Sequence, residues 1–97
     1  MESRYACEAL KNHDVLKINY HGYDRDVEVH AVGRSLRGNE LMYVYQTSGG
    51  ARTGELGWKR MKVAEAKFLG TVNGASKAPR STYRHEDTGL HDFSCAL

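Results

Sequence analysis

Long hydrophobic runs are absent from this chain of 97 residues, and so is a strong excess of either charge. No apolar stretch approaches the length that a membrane-spanning helix needs. The N-terminal sequence MESRYACEAL lacks the basic and then apolar order of a signal peptide, which predicts a cytoplasmic protein with no membrane partner. The net charge of +2 is too small by itself to predict a nucleic-acid partner, although its sign permits an anionic ligand.

Cysteine is scarce as well, since Cys7 and Cys95 are the only two. In the absence of an export signal, we expect both to be reduced thiols. The alternative is a disulfide that ties the two ends of the chain together. Two thiols without histidines at a matching spacing do not make a zinc site. The sequence therefore predicts no metal site and no cofactor.

Sequence patterns of catalysis are also missing. Serine, histidine, aspartate and cysteine are present, but none lies in a nucleophile elbow or in a paired-carboxylate pattern. Asp24 and Asp26 flank Arg25 in a turn, where neutralised or solvated carboxylates are expected. The glycine-rich segment TSGGARTG lacks the Gly-Lys-Ser/Thr ending of a phosphate-binding P-loop. These absences predict a protein that is not an enzyme.

The composition that remains is that of one small folded domain, residues 1–97. Hydrophobic residues make up 40% and charged residues 27%, which is ordinary for a soluble globular chain. Helical spacing in SRYACEALKN predicts a helix over about 3–12. Strands are expected between 15 and 72, a polar loop over 73–89 that is either ordered or a flexible arm, and a last strand over 90–97.

Alternation of apolar and polar residues is the main signal in the middle of the chain. VLKINY places Leu16, Ile18 and Tyr20 on one face, and ELMYVYQT is the strongest strand signal because it is rich in aromatic and β-branched residues. The segment GWKRMKVAEAKFL is ambiguous: its residues suit a helix, or a strand from Trp58 to Val63 followed by another strand. One helix and five or six short strands predict a mainly β fold, a small barrel or a sandwich.

Several segments resemble WYL domains. These are Tyr20-His21-Gly22 at the end of the first strand, Glu28-Val29-His30 on the next, GNELMYVYQTSGG, GWKRMKV and PRSTYRHED. Their order covers nearly the whole chain. The Trp-Tyr-Leu triplet that names the family falls on Glu40-Leu41-Met42. The resemblance implies a small Sm-like, SH3-type β-barrel with an N-terminal α-helix, acting as a regulatory module that binds nucleotides or nucleic acid on a basic, aromatic face.

Under this resemblance Trp58–Val63 is a strand beside the His30 segment, with its cations around a shared concavity. Candidate ligand residues fall into two groups. Charge and hydrogen bonds would come from Lys17, His30, Arg34, Lys59, Arg60, Lys62, Arg80 and Arg84. Stacking surfaces would come from Tyr20, Tyr45 and Trp58.

Each candidate also has an ordinary structural explanation. Lys17 on an alternating strand can simply be solvated, His30 can bond its neighbours, and Trp58 can plug a barrel end. The expected partner is a nucleotide or a short nucleic acid, and the expected role is to sequester or sense a nucleotide signal. Open strand edges predict a homo-oligomer. The alternative function is a structural or protein-interaction module with a vestigial pocket.

Overall fold

The computed structural model describes all residues from Met1 to Leu97 and has one N-terminal helix followed by an antiparallel sheet. Short 3-10 turns lie at Val63–Glu65 and His85–Thr88. The expected mainly β fold with one N-terminal helix is confirmed. Neither the helix nor the turns have the length and apolar character needed to cross a bilayer. The elements are α1 (Ser3–Asn12), β1 (Val15–Tyr20), β2 (Tyr23–Arg34), β3 (Glu40–Gly49), β4 (Gly57–Lys62), β5 (Ala66–Val72) and β6 (His91–Ala96).

Helix α1 is short and packs one stripe of small side chains on the sheet. Ala6 and Ala9 are buried, and Leu10 lies partly buried against the same core. The helix ends because His13 adopts a left-handed backbone conformation, with φ of 56°, and its N–H group satisfies carbonyls of the last turn. These small residues let the helix lie close to β2, its main contact.

The sheet has the order β4-β3-β2-β1-β5, and β6 pairs separately with β2. Strand β2 has 12 residues, so it serves two neighbours along one side. Its first half pairs with β1 through Tyr23–Val27, and its second half pairs with β6 through Ala31–Arg34. Strand β3 runs along its other side. Strands β4 and β5 are therefore the two ends of the strand order.

The hydrophobic core lies where α1 covers the sheet, as the alternation of β1 predicts. Leu16 and Ile18 are fully buried, whereas Lys17 between them is partly exposed. Strand β2 departs from one-sided burial, because Glu28 and His30 on its other face are buried too. The chain from 73 to 90 folds over that face and covers it, so this segment is an ordered loop in the protein.

A disulfide joins Cys7 in α1 to Cys95 in β6, with 5.8 Å between the two Cα atoms. The expectation of two reduced thiols is therefore wrong. Both elements pack on β2, and this shared neighbour brings together two cysteines that are 88 positions apart. Their adjacency is a property of the sheet order, which local sequence patterns do not contain.

The ambiguous basic segment forms strand β4, so the helical alternative is excluded. The extended conformation ends at Lys62, one residue earlier than expected, because Val63 begins a 3-10 turn. Strand β4 pairs with β3, so β3 lies between it and the strand that carries His30. The expectation that the Trp58 strand lies directly beside the His30 strand is therefore wrong, although the Trp58 ring reaches His30 across β3.

Candidate functional site

One cavity opens in the surface of the protein, with a volume of about 320 Å³. It lies between the turn that joins β1 to β2, strand β4 and the loop of residues 50–56. No carboxylate lines it. The lining residues are Tyr20, His21, Arg25, Ala51, Arg52, Thr53, Lys59, Arg60 and Met61.

Arg25 is the unusual member of this lining, because it is only 6% exposed and has no carboxylate partner. Its Nη2 donates to the Tyr20 carbonyl at 3.0 Å, and its Nη1 donates to Gln46 Oε1 at 3.3 Å. Its Nε is the one buried side-chain nitrogen or oxygen without a hydrogen-bond partner in the protein. Burial lowers the pKa of Arg25 from its ordinary value. A buried cation without a counter-ion is unfavourable, and a bound anion would relieve that cost.

The rings of Tyr20 and Tyr23 both lie against the Arg25 guanidinium. The guanidinium carbon is 5.2 Å from the Tyr20 ring centre and 5.5 Å from that of Tyr23. Ring faces attract cations, which explains in part how the charge is tolerated there. The rings do not neutralise the charge, so the cavity keeps its positive character.

Two further cations of the lining, Lys59 and Arg52, have side chains that are free of partners within the protein. Lys59 is partly buried on the β4 face that also carries the buried Met61, and Arg52 is exposed on the loop. Neither side chain makes a hydrogen bond or an ion pair within the protein, in contrast to Lys17 and Lys62 elsewhere. Together with Arg25 they make a cavity in which three positive charges converge and no negative charge opposes them.

Glycines bring the loop close enough to complete the cavity. Gly49 has φ of +96°, and a Cβ atom there would clash with the backbone of Asp24 and Arg25. At Gly50 a Cβ atom would meet the Tyr23 ring. The buried amide of Gln46 fixes the loop further, because its Nε2 donates to the carbonyls of Ser48 at 3.1 Å and Gly50 at 3.0 Å.

The rim of the cavity holds a histidine that is paired with a carboxylate. His21 Nε2 lies 2.5 Å from Glu65 Oε1, and the imidazole stacks on Tyr20 with ring centres 4.0 Å apart. The hydrogen bond from His21 lowers the pKa of Glu65 below its ordinary value. The Tyr20 hydroxyl accepts a hydrogen bond from the Lys62 N–H at 2.9 Å, which ties β1 to β4.

Three sequence-predicted site residues lie at the cavity: Tyr20, Lys59 and Arg60. Arg60 is a fourth cation of the lining and keeps its charge, but it offers fewer free N–H donors than expected because its guanidinium is engaged on the neighbouring 3-10 turn. Its Nε donates to the Thr88 carbonyl at 2.6 Å and its Nη2 to the Asp87 carbonyl at 2.5 Å. Arg60 therefore holds the turn against β4.

A second group of predicted residues forms an aromatic cluster on the outer face of the sheet. The Trp58 ring stacks on Tyr43 at 4.9 Å between centres and meets His30 and Tyr45 edge-on at 4.7 and 5.2 Å. Its Nε1 donates to the Thr82 hydroxyl at 3.1 Å. Trp58, Tyr45 and His30 thus anchor the covering loop, which is a structural role.

Arg80 closes this cluster from the loop side. Its Nε donates to Glu28 Oε1 at 2.6 Å, and its guanidinium carbon lies 4.5 Å from the Tyr45 ring centre. The Lys77 N–H donates to the other oxygen of Glu28 at 2.7 Å. Arg80 was a candidate ligand residue, but the anion that it meets in the structure is a buried carboxylate of the protein itself.

His30 has both ring nitrogens in use. Nδ1 donates to the Glu28 carbonyl at 3.0 Å, and Nε2 accepts from the Arg80 N–H at 3.0 Å. Burial lowers the pKa of His30 below its ordinary value, and the positive charge of Arg80 acts in the same direction. A fully buried imidazole with two internal partners has no free edge for a ligand.

We expect the free energy of unfolding to decrease as the pH falls from 7.5 to 5.5. The unfolded chain takes up a proton at His30 more readily than the folded protein does. The contribution of His30 to the free energy of unfolding is therefore fully present above the ordinary histidine pKa of about 6.5 and is lost as the pH falls below it. Urea unfolding at several pH values measures this slope. His30→Gln should flatten the slope, whereas His91→Gln, at an exposed histidine, should keep it. An unchanged slope in His30→Gln would contradict the assignment.

The other predicted residues lie away from the cavity. Lys17 pairs with Asp26 at 2.9 Å. Burial by itself would raise the pKa of Asp26, but hydrogen bonds from Lys17 and Ser48 outweigh it and lower that pKa below its ordinary value. Lys62 lies 3.6 Å from Glu65, and Arg34 Nη1 donates to the Gly38 carbonyl at 3.1 Å within the β2–β3 turn. Arg84 is exposed beside the second 3-10 turn.

Arg25 is hidden in the sequence because two aspartates flank it. Alternation on β2 places Asp24 and Asp26 on the opposite face, where Asn19 and Lys17 satisfy them at 2.9 Å each. Successive side chains of a strand point to opposite faces, and this alternation was the signal that places Arg25 on the other side of the sheet from the two aspartates.

Comparisons with protein-family models, with curated proteins and with solved structures found no match. The interpretation of the cavity therefore depends on its own residues and geometry.

Proposed function

We propose that the protein is a non-enzymatic binding module that holds an anionic ligand, a nucleotide or a short nucleic acid, in the cavity around Arg25. The observation that carries this proposal is the burial of Arg25 without any carboxylate partner, in a cavity that Arg52 and Lys59 also line. Guanidinium and ammonium groups bind phosphate oxygens strongly, and they do so best where water is partly excluded.

The proposal moves the ligand site away from the aromatic cluster on the outer face. Trp58 and Tyr45 are engaged with the covering loop, and Arg80 of that loop is paired with Glu28, whereas Tyr20 and Lys59 remain at the cavity. A ring for stacking is available at the rim on the exposed imidazole of His21, which itself lies on the buried Tyr20 ring. Sensing or sequestering a nucleotide signal is the biological role that this arrangement would serve.

An Sm-like barrel of the WYL type belongs to the same proposal. Only the 3-10 turn Val63–Glu65 separates β4 from β5, so the two ends of the strand order are joined by a short connection. Such proximity favours the closure of a sheet into a barrel. A cytoplasmic location remains a prediction, and the disulfide weighs toward a compartment that is less reducing.

Replacement of cavity cations should weaken binding of a defined probe, 5′-AMP, measured by calorimetry. Lys59→Gln removes a charge-assisted contact worth about 1.5–3 kcal/mol, so we expect a loss of affinity of roughly tenfold or more. Arg25→Met should reduce binding further. Arg37→Gln, at an exposed arginine of the β2–β3 turn, is the matched control and should bind as the native protein does. Equal affinity in Lys59→Gln and Arg37→Gln would contradict the site.

Self-association is a second candidate property. Strand β5 ends the strand order, and it exposes Phe68, Leu69 and Val72 at 40%, 54% and 41%. Apolar side chains on an edge strand favour pairing with another chain, in line with the expected homo-oligomer and with the interaction-module alternative. Light scattering of the purified protein measures this directly, and a monomer at all concentrations would remove it.

A further inference from the structure

The three cations Arg25, Lys59 and Arg52 lie at different depths in the cavity, and their depths limit which kind of phosphate group can contact all of them. Arg25 is almost fully buried, Lys59 is partly buried and Arg52 is exposed. The rings of Tyr20 and Tyr23 lie against the Arg25 guanidinium. A ligand group that contacts all three cations must therefore reach inward from the loop.

The volume of the cavity limits what can accompany that group. About 320 Å³ is at the lower end of the range, roughly 300–1,000 Å³, of small-molecule sites. An internal phosphodiester carries a nucleoside on each side, so two substituents would have to find room at the rim of this small cavity. A terminal phosphate has one substituent, which can remain at the rim beside His21.

Charge and hydrogen-bond capacity point to the same form. A phosphomonoester carries about −1.5 to −2 at neutral pH and presents three acceptor oxygens. A phosphodiester carries one negative charge and presents two free oxygens. Three converging cations without an opposing carboxylate match the monoester better than the diester.

We infer that the cavity selects a terminal phosphate group over the internal phosphodiester of a continuous strand, with Arg25 and Lys59 contacting its oxygens and Arg52 closing over it. The inference rests on the proposed function and narrows its ligand class. The same chemistry is found in a free nucleoside monophosphate and in the phosphorylated end of a short oligonucleotide.

Three adenosine compounds test the inference by calorimetry with the intact, disulfide-bonded protein. They are 5′-AMP, its methyl ester and adenosine, which share the base and differ in the charge of the phosphate. We expect 5′-AMP to bind at least tenfold more tightly than the methyl ester, and adenosine to bind most weakly. Equal affinities for 5′-AMP and the methyl ester would overturn the selection of a terminal phosphate while leaving anion binding intact.

Two oligonucleotide probes distinguish the sources of the phosphate. Oligothymidine of four nucleotides with a 5′-phosphate is compared with the same oligomer carrying a 5′-hydroxyl. Tighter binding of the phosphorylated oligomer supports the inference whether or not 5′-AMP binds. If 5′-AMP does not bind, the result assigns the ligand to the phosphorylated end of a nucleic acid. No binding of any of the five compounds would overturn the proposed function itself.

Variants locate the selection within the cavity. Lys59→Gln and Arg52→Gln should each reduce the affinity ratio between 5′-AMP and its methyl ester, because the extra charge then has fewer partners. Arg37→Gln lies outside the cavity and should keep the ratio. A ratio that is unchanged in both cavity variants would place the selection elsewhere and overturn the assignment of these residues.

Discussion

The double variant Cys7→Ser, Cys95→Ser is expected to have a free energy of unfolding about 4–5 kcal/mol lower than that of the native protein. The bond closes a loop across 88 positions, and a long closed loop restricts the unfolded chain strongly. A domain of this size has a stability of only about 5–15 kcal/mol, so the variant should lie near the limit of folding. Urea unfolding under non-reducing conditions measures the difference.

The single variants provide the control for this result. Cys7→Ser alone should destabilise nearly as much as the double variant, because either change removes the same bond. Addition of dithiothreitol to the native protein should have a similar effect. A decrease below about 1 kcal/mol in all three cases would show that the bond constrains little.

Arg80→Ala should destabilise the protein strongly, although the side chain is partly exposed. Glu28 is 1% exposed, and its carboxylate depends on Arg80 Nε at 2.6 Å for compensation of its charge. A buried charge left without its partner costs about 3–5 kcal/mol, and the lower figure applies because Arg80 itself is partly exposed. The covering loop should then detach, which limited proteolysis detects beside urea unfolding.

Two variants make this prediction specific. Arg84→Ala changes an exposed arginine of the same loop and should leave stability within about 0.5 kcal/mol. Glu28→Gln in the Arg80→Ala background removes the unpaired charge and should restore part of the loss. Equal destabilisation by Arg80→Ala and Arg84→Ala would refute a role for the buried carboxylate.

Local patterns predicted the elements of the fold well, because alternation and helical spacing reflect which side of an element is buried. The strand character of the segment after Trp58 was the hardest case, since its residues also suit a helix. Pairing with β3 decides it, and pairing is a long-range property. Burial of both faces of β2 was beyond the sequence for a similar reason, because a distant polar loop provides the second cover.

The candidate site was only partly predictable. Tyr20, Lys59 and Arg60 were proposed as ligand residues and lie at the cavity, but Arg25 was hidden between Asp24 and Asp26. His30 and Trp58 attracted attention because such residues bind bases, yet the structure uses them to hold a loop. Residue type shows what a side chain can do, whereas its neighbours in space determine what remains free to do it.

The buried amide of Gln46 connects two parts of the cavity that are otherwise separate. Its oxygen accepts from the Arg25 guanidinium, and its nitrogen holds the carbonyls of Ser48 and Gly50. Gln46 thus hydrogen-bonds both the Arg25 guanidinium and the glycine loop, so loss of its amide would loosen the cation and the loop together.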